Sequence, residues 1–187
     1  MTLALGECSD GELAALALAG RQTAFGELLR RHRASVYRLA RSSLGDSEAA
    51  LDVTQESFIA AFAALKTYDQ IRPFKSWVSR IALNKCRDWV RRRNVRQLFS
   101  FALPIEAAAS IADDSVPHDQ ALADRAELAR VSGAIKELPK ALREPLVLRT
   151  IEGMTQAETA EVLGISAKAV ETRLYRARTK LTEILRD

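Results

Sequence analysis

The chain has 187 residues, of which 48% are hydrophobic and 6% aromatic, and this composition indicates folded domains rather than a disordered polymer. Its 28 lysines and arginines against 24 aspartates and glutamates give a net charge of +4, so the distribution of charge is more informative than its sum. Cys8, Cys86, His32 and His118 are isolated from one another in the sequence, which excludes a zinc motif or a disulfide framework and predicts no cofactor and a reducing cytoplasm.

The first hundred residues show helical periodicity, and no run alternates with a period of two. Ser9 and Glu12 form a capping box for a first helix. A second helix is predicted to end at Gly45, and Asp46 or Ser47 can cap a third. The expected apolar stripes are Phe25, Leu28, Leu29, Val36, Leu39 and Ala40 in the second helix and Leu51, Thr54, Phe58, Phe62 and Leu65 in the third.

A fourth helix is predicted from about Phe74 to Arg93, with a basic face. The loop before it, from Lys66 to Pro73, places Tyr68 beside basic and amide groups, which suits contact with unstacked bases. A basic row can follow a phosphate backbone, although a solvated surface is the alternative. The buried stripe is expected at Phe74, Trp77, Val78 and Ile81, and the basic row, within about 60° on a helical wheel, at Arg80, Asn84, Arg87 and Arg91.

The third helix carries a like-charge pair on its outward face. Asp52 and Glu56 lie four residues apart, which costs about 0.2–0.5 kcal/mol if neither is neutralised. An external basic partner would relieve this repulsion, and simple solvation is the alternative. These four helices predict an N-terminal domain over residues 9–97.

Residues 98–123 lose the helical pattern. They contain Pro104 and Pro117 together with several acidic residues and neither lysine nor arginine. We therefore predict an acidic, mostly extended and flexible linker. Helical periodicity resumes at Asp124 and begins a second domain over residues 124–187.

The end of the chain has the order of a helix-turn-helix, a motif that binds duplex DNA. Thr155 and Glu158 form a capping box, Gly164 can end that helix in a left-handed conformation, and Ser166 can cap the next one. The packing face of the last helix is expected at Val170, Leu174, Ala177, Leu181, Ile184 and Leu185, and its outward face at Lys168, Thr172, Tyr175, Arg176 and Thr179. The cationic side chains, hydroxyls and aromatic ring of this outward face are groups that can contact DNA phosphates and base edges. An ordinary surface helix with a solvated polar face is the alternative.

The sequence thus predicts an all-α fold of two small helical domains joined by a flexible linker. Its motifs resemble the extracytoplasmic-function (group 4) sigma factors of bacterial RNA polymerase, within the sigma-70 family, over nearly the whole chain. In the N-terminal domain, the matching motifs are residues 52–58 (DVTQESF), 72–77 (RPFKSW), 80–84 (RIALN) and 87–88 (RD). In the C-terminal domain they are residues 138–139 (LP), 143–146 (REPL), 152–155 (EGMT) and 173–178 (RLYRAR). The resemblance implies a region 2-like domain and a region 4-like domain.

The resemblance also implies roles for single residues. The surface that binds the clamp helices of core RNA polymerase would contain Asp52, Gln55 and Glu56. The contacts with the minus-10 element and the duplex upstream of it would come from Lys66, Tyr68, Arg72, Phe74, Arg80, Asn84, Arg87 and Arg91. The minus-35 element would be read by Lys168, Thr172, Tyr175 and Arg176.

The implied function is that of an alternative sigma factor, which directs promoter-specific initiation and catalyses nothing. Its expected partners are core RNA polymerase, through the clamp helices and the flap, promoter DNA and an anti-sigma factor. We expect a cytoplasmic protein that is a monomer when free or a 1:1 complex with the anti-sigma factor, which can recruit it to the membrane. The motifs are similar to the cobalt and nickel resistance branch. Glu171 stands where many relatives carry a cation, so the base read there is open.

Two other classes of protein are weighed against this interpretation. A stand-alone helix-turn-helix regulator would need a dimer interface or a ligand pocket in the N-terminal domain. A DNA-processing enzyme would need a nucleophile near carboxylates or a histidine, and the sequence offers no such constellation. The apolar run Leu13 to Ala19 is too short to span a bilayer and has no positive leader before it, so we expect no stable membrane insertion.

Overall fold

A computed structural model of the chain describes the backbone of residues 4–100 and 119–186 and the side chains of residues 4–97 and 127–186. Over these ranges the chain forms eight α-helices and no strand, which confirms the all-α prediction. No helix within these ranges is both long enough and apolar enough to cross a membrane.

Four helices form the N-terminal part: α1 (Asp10–Leu18), α2 (Gln22–Leu44), α3 (Ser47–Ala64) and α4 (Phe74–Ser100). The Ser9 capping box is present, with the Glu12 amide donating to the Ser9 hydroxyl and the Ser9 amide to the Glu12 carboxylate. Gly45 ends α2 in the left-handed conformation with φ of 77°. Asp46, rather than Ser47, caps α3, because its carboxylate accepts from two backbone amides of the first turn. The sequence signals for these helix ends are therefore confirmed.

Four more helices form the C-terminal part: α5 (Asp119–Glu137), α6 (Lys140–Leu146), α7 (Gln156–Leu163) and α8 (Ala167–Arg186). One turn of π-helix, Val147–Ile151, continues α6. Pro139 lies at the N-cap position just before α6, with a non-helical ψ of 138°, and Pro145 lies within the helix.

The predicted linker is helical at both of its ends. Helix α4 continues beyond Arg93 to Ser100, and α5 begins at Asp119 rather than Asp124. The prediction of an extended linker is wrong for residues 98–100 and 119–123, because helix propagation costs little once a helix has formed. Residues 101–118, on which the rest of that prediction falls, lie outside the described residues.

The apolar stripe of α3 differs from its prediction. Leu51 and Phe62 are each 50% exposed, whereas the small residues Ala50, Ser57 and Ala61 are buried. Helix α3 packs against both α2 and α4, and small side chains let helix backbones approach closely. The prediction is wrong at Leu51 and Phe62 because periodicity identifies an apolar face of α3 but not the positions that α2 and α4 cover.

The two halves of the chain pack against each other. The C-terminal half has its own core of Leu138, Leu146, Val170, Leu174 and Ala177. However, four further residues of that half join the N-terminal core in one continuous cluster, namely Val147, Leu148, Met154 and Val162. Helix α7 contacts α4, so the helix-turn-helix lies against the helix with the predicted basic row.

Candidate nucleic-acid interface

Helices α7 and α8 form the predicted helix-turn-helix. The Thr155 capping box is complete, and Gly164 has φ of 66° and ψ of 38°, the left-handed conformation that ends α7. The hydroxyl of Ser166 accepts from the Ala169 amide at 3.1 Å and so caps α8. Because only three residues separate the helices, the chain must turn sharply between α7 and α8, and Val170 of α8 is buried against the domain core.

All four predicted minus-35 residues lie on the exposed face of α8, at Lys168, Thr172, Tyr175 and Arg176. Tyr175 is the most accessible of the aromatic residues described as exposed, at 74%. The Thr172 hydroxyl donates to the Lys168 carbonyl at 2.9 Å. The Lys168 ammonium lies 3.0 Å from the Glu171 carboxylate, so Glu171 partly neutralises the basic end of this face.

The predicted basic row of α4 is formed, and its members differ in their neighbours. Arg80 and Asn84 are exposed, and the Arg87 guanidinium donates to the Asn84 side chain at 3.1 Å. Arg91 lies 3.0 Å from Asp88 on the same helix. The exposed Arg91–Asp88 pair, one helical turn apart, contributes little to stability, so the Arg91 cation is available to an external anion.

Two of the predicted minus-10 residues contact the C-terminal half of the molecule. Arg87 donates to the carboxylate of Glu144 on α6 at 2.9 Å. Arg72 donates to the carboxylate of Glu161 on α7. These carboxylates therefore occupy cations that the sequence assigns to DNA.

The aromatic members of the predicted minus-10 loop are buried. Phe74 is 1% exposed and Tyr68 is 8% exposed, and their rings meet edge to face with centroids 5.2 Å apart. The Tyr68 hydroxyl donates to the Arg72 carbonyl at 2.7 Å, which fixes the loop backbone. Burial, followed by the charges of Asp10 and Asp69, raises the pKa of Tyr68, so its phenol stays neutral. Lys66 is exposed beside them.

A cavity of about 320 Å³ opens beside this loop. Its N-terminal wall contains Tyr68, Arg72 and Arg80, and its C-terminal wall contains Glu161 and Val162 of α7. The cavity is therefore shared by the two halves, and α7 covers one side of it.

The predicted polymerase surface on α3 is exposed at Asp52 and Gln55. Glu56 is half-buried and has basic neighbours within the chain, Lys85 at 3.7 Å and Arg92 at 3.4 Å. The basic partner inferred from the Asp52 and Glu56 repulsion is therefore supplied in part by α4. Next to these residues runs an apolar groove of about 670 Å³, whose walls include Phe25, Leu29, Leu51, Ile59 and Phe62.

One buried residue is identified in the sequence only as part of a motif. Glu152, in the loop before α7, has a fully buried side chain that contacts Ser35, Arg38 and Lys75 of the N-terminal half. Helical periodicity cannot reveal such a residue, since it lies between elements. A carboxylate at the end of an apolar helix is the only signal that the sequence offers.

Comparisons with known proteins agree with this geometry. Residues 28–96 match the family Sigma-70 region 2, and residues 128–181 match the family Sigma-70, region 4. Together these matches cover more than half of the chain, and the chain belongs to the sigma-70 family.

Individual relatives extend the match over nearly the full length. The chain is 46% identical to the RNA polymerase sigma factor CnrH of Cupriavidus metallidurans over 184 residues, covering 96% of this chain and 95% of CnrH. It is 41% identical to the RNA polymerase sigma factor NccH of Alcaligenes xylosoxydans xylosoxydans, covering 95% of each. It is 32% identical to the ECF RNA polymerase sigma factor SigM of Mycobacterium tuberculosis, covering 96% of this chain and 86% of SigM.

Solved structures are similar as well. The structure of CnrH in complex with the cytosolic domain of CnrY superposes with a TM-score of 0.70 at 39% identity, covering 94% of this chain and 96% of that chain. The sigma factor RpoE in complex with the anti-sigma factor NepR from Bartonella quintana has a TM-score of 0.69, covering 87% of this chain and 96% of that chain. Its identity is 22%, so it supports the fold alone.

The chain is therefore an extracytoplasmic-function sigma factor, a non-enzymatic protein that binds core RNA polymerase and promoter DNA to direct initiation. The predicted resemblance is confirmed. The alternative of a stand-alone dimeric regulator is set aside, because both halves of the chain match sigma regions.

Proposed function

We propose that the exposed face of α8 reads the minus-35 element, with Lys168, Thr172, Tyr175 and Arg176 as its contact residues. The observation that carries this proposal is the accessibility of all four side chains on one face of a capped helix-turn-helix. Arginine and lysine can bind guanine edges or phosphates, and hydroxyls and a flat ring add polar and apolar contacts.

The minus-10 element and the duplex upstream of it are assigned to the loop before α4 and to α4 itself. The row Arg80, Asn84, Arg87 and Arg91 supplies the electrostatic track. Lys66 and Arg72 are the cations of the loop, while Tyr68 and Phe74 hold its shape from the core. A base captured by this loop would enter the 320 Å³ cavity beside Tyr68 and Arg80.

Core polymerase is assigned to Asp52, Gln55 and Glu56 together with the adjoining apolar groove. Carboxylates beside exposed apolar side chains suit a basic amphipathic helix, whose cations and apolar face meet the two kinds of group at once. The clamp helices are the proposed occupant, and the flap is assigned to the C-terminal domain.

The working units proposed for these tasks are residues 9–97 and 124–187, joined by the acidic segment 98–123. The ranges of the two family matches, 28–96 and 128–181, support this division. Two DNA-reading units on one chain gain avidity only when both elements lie at a compatible spacing, which polymerase sets.

Control by an anti-sigma factor is part of the proposal. It is supported by the similarity to CnrH, whose structure was determined with the cytosolic domain of CnrY. We expect the free chain to be monomeric and the inhibited form to be a 1:1 complex in the cytoplasm, which a membrane-bound inhibitor can hold at the membrane. Identities of 46% with CnrH and 41% with NccH support the assignment to the cobalt and nickel resistance branch.

The test is transcription in vitro by core polymerase with the purified chain on fragments of the source genome. We expect a small set of transcripts that require the chain and whose upstream regions share two elements at a fixed spacing. Transcripts that are absent, or that start without a shared pair of elements, would contradict the proposed function.

A further inference from the structure

Three carboxylates of the C-terminal half point into the N-terminal half and contact its cations. They come from three consecutive segments, α6, the loop before α7, and α7 itself, and are Glu144, Glu152 and Glu161. Their partners lie on α2, on α4 and in the loop before α4. The contacts thus join three segments of each half.

Glu152 is the most enclosed of the three, since its side chain is 0% exposed. One carboxylate oxygen accepts from the Arg38 guanidinium at 3.1 Å, and the other lies 3.2 Å from the Lys75 ammonium. The Ser35 hydroxyl also donates to this carboxylate. Lys75 makes a second contact, 2.5 Å from the backbone oxygen of Glu152. A buried carboxylate is retained only where such partners compensate for its lost hydration, so the Glu152 loop fits only the closed arrangement.

The other two carboxylates contact predicted DNA-binding cations directly. Glu144 is 9% exposed and lies 2.9 Å from Arg87. Glu161 pairs with Arg72 in the loop. A carboxylate and a DNA phosphate place the same charge on the same guanidinium, so each of these arginines can serve only one of them at a time.

Buried apolar side chains also join the C-terminal half to the N-terminal half. Met154 and Val162 are buried in the cluster that otherwise consists mainly of N-terminal residues. Val162 also lines the cavity beside the minus-10 loop. Access to this cavity from the side of α7 is therefore closed while the two halves stay together.

We propose that the free sigma factor inhibits its own minus-10 surface: Glu152 locks the C-terminal domain against α2 and α4, while Glu144 and Glu161 occupy Arg87 and Arg72 in place of DNA. Binding to DNA through the N-terminal domain requires this contact to open. The inference rests on the assignment of Arg72 and Arg87 to DNA in the proposed function. It adds an intramolecular switch that needs no second protein.

The decisive variant is Arg38→Gln in the full chain. It removes a partner of Glu152 without touching any residue assigned to DNA or polymerase. It also removes one positive charge, which by itself weakens DNA binding. The matched control is Arg30→Gln on the same helix, because Arg30 is 70% exposed and pairs with Glu27 away from the domain boundary.

Two readouts are measured on the free proteins. Small-angle X-ray scattering gives the radius of gyration, and fluorescence anisotropy gives the affinity for a labelled forked duplex of mixed sequence. We expect Arg38→Gln to expand the chain and to tighten DNA binding about three- to tenfold relative to Arg30→Gln, since apparent affinity follows the fraction of open molecules.

A second pair of variants tests the same contact by changing the Glu152 carboxylate instead of Arg38. Glu152→Gln is expected to produce a larger gain in DNA affinity, about tenfold or more, because Arg38 and Lys75 both lose their charged partner. Its control is Glu183→Gln, which removes the same charge from an exposed site on α8 that is 61% accessible. Circular dichroism verifies that each variant is folded, and Arg38→Gln carries the test if Glu152→Gln is not.

The outcomes separate this inference from the proposed function. An unchanged radius with unchanged or weaker DNA binding in Arg38→Gln overturns the lock. An expanded chain without tighter DNA binding overturns the occlusion of the minus-10 surface. The mixed-sequence probe requires no promoter, so failure of the wild-type chain to direct transcription would count against the proposed function alone.

Discussion

Arg176 illustrates how a single side chain can be left available for a partner outside the chain. It lies on the exposed face of α8, next to the buried Ala177 that anchors the same turn to the core. Over the described residues no ion pair involves Arg176, in contrast to Arg72 and Arg87, which contact carboxylates of the other domain. The proposed minus-35 contacts are therefore compatible with the closed arrangement, whereas the proposed minus-10 contacts of Arg72 and Arg87 are not.

We expect Arg176→Ala to weaken recognition of the minus-35 element by about 1–3 kcal/mol, the discrimination that one good arginine contact with a base provides. Core binding should be unchanged, because Arg176 lies on α8, outside the proposed polymerase surface on α3. The measurement is holoenzyme affinity for promoter DNA with and without the minus-35 element. Arg178→Ala is the matched control, since Arg178 is also exposed but lies about 200° further around the helix. Equal losses in the two variants would contradict the assigned face.

Glu56 shows the opposite situation, a carboxylate shared between the chain and a proposed partner. Its pairs with Lys85 and Arg92 are partly exposed, at 40% for the Glu56 side chain, so their loss should cost at most about 1 kcal/mol of stability. Glu56→Lys should nevertheless abolish core binding, because it replaces attraction with repulsion where a basic helix is proposed to dock.

The measurement for Glu56→Lys is competition for core polymerase against the wild-type chain, with thermal unfolding recorded in parallel. Glu183→Lys reverses the same charge on α8, away from the proposed docking surface. Retention of wild-type core affinity by Glu56→Lys would remove Glu56 from the polymerase surface.

At the scale of elements, the turn between α7 and α8 depends on one backbone conformation. Gly164 has φ of 66°, and an added Cβ would meet no atom within 4 Å, so any penalty there comes from the backbone alone. We expect Gly164→Ala to lower the free energy of unfolding by about 1–2 kcal/mol, the cost of a left-handed alanine.

Gly133 provides the matched control for that substitution. It lies within α5, also has no atom within 4 Å of an added Cβ, and does not have a positive φ. Gly133→Ala should therefore stabilise the chain by about 0.8–1.0 kcal/mol through helix propensity. Urea denaturation measures both variants, and changes of the same sign would contradict the assigned backbone conformations.

The helices and their ends could be predicted from the sequence because their causes are local. The capping boxes at Ser9 and Thr155 and the glycines at Gly45 and Gly164 act within a few residues, and all four are present. The exposed face of α8 followed from the same short-range periodicity. The boundary between the domains could not be predicted, because burial of Glu152 depends on Ser35 and Arg38, more than a hundred residues earlier.

The same limit explains the remaining differences. A helical wheel identifies an apolar face but not what covers it. The predicted core stripe of α3 therefore includes Leu51 and Phe62, although both line an open groove. Tyr68 was identified by its neighbours in sequence as a base-contacting ring, yet it packs on Phe74 in the core.

Over the whole molecule, two kinds of contact hold the domains together. The polar contacts are centred on Glu152, and the apolar contacts come from one cluster that spans both domains. Ion pairs determine which surfaces meet, because a carboxylate needs its cation at a defined position. Burial of apolar side chains supplies most of the free energy, since exposed parts of the ion pairs are screened by salt. Opening of the contact between the domains must therefore overcome both.

Met154 tests the apolar part of this boundary. It is 3% exposed in the cluster shared by both domains, whereas Leu174 is 9% exposed in the core of the C-terminal domain alone. Substitution of either by alanine is expected to cost about 2–5 kcal/mol. Only Met154→Ala removes that energy from the contact between domains.

We therefore expect Met154→Ala to enlarge the radius of gyration and to split one thermal transition into two. Leu174→Ala should lower the melting temperature while the folded chain stays as compact as the wild type. Calorimetry and small-angle scattering on both variants make the comparison, and expansion of neither variant would show that the shared cluster does not hold the domains together.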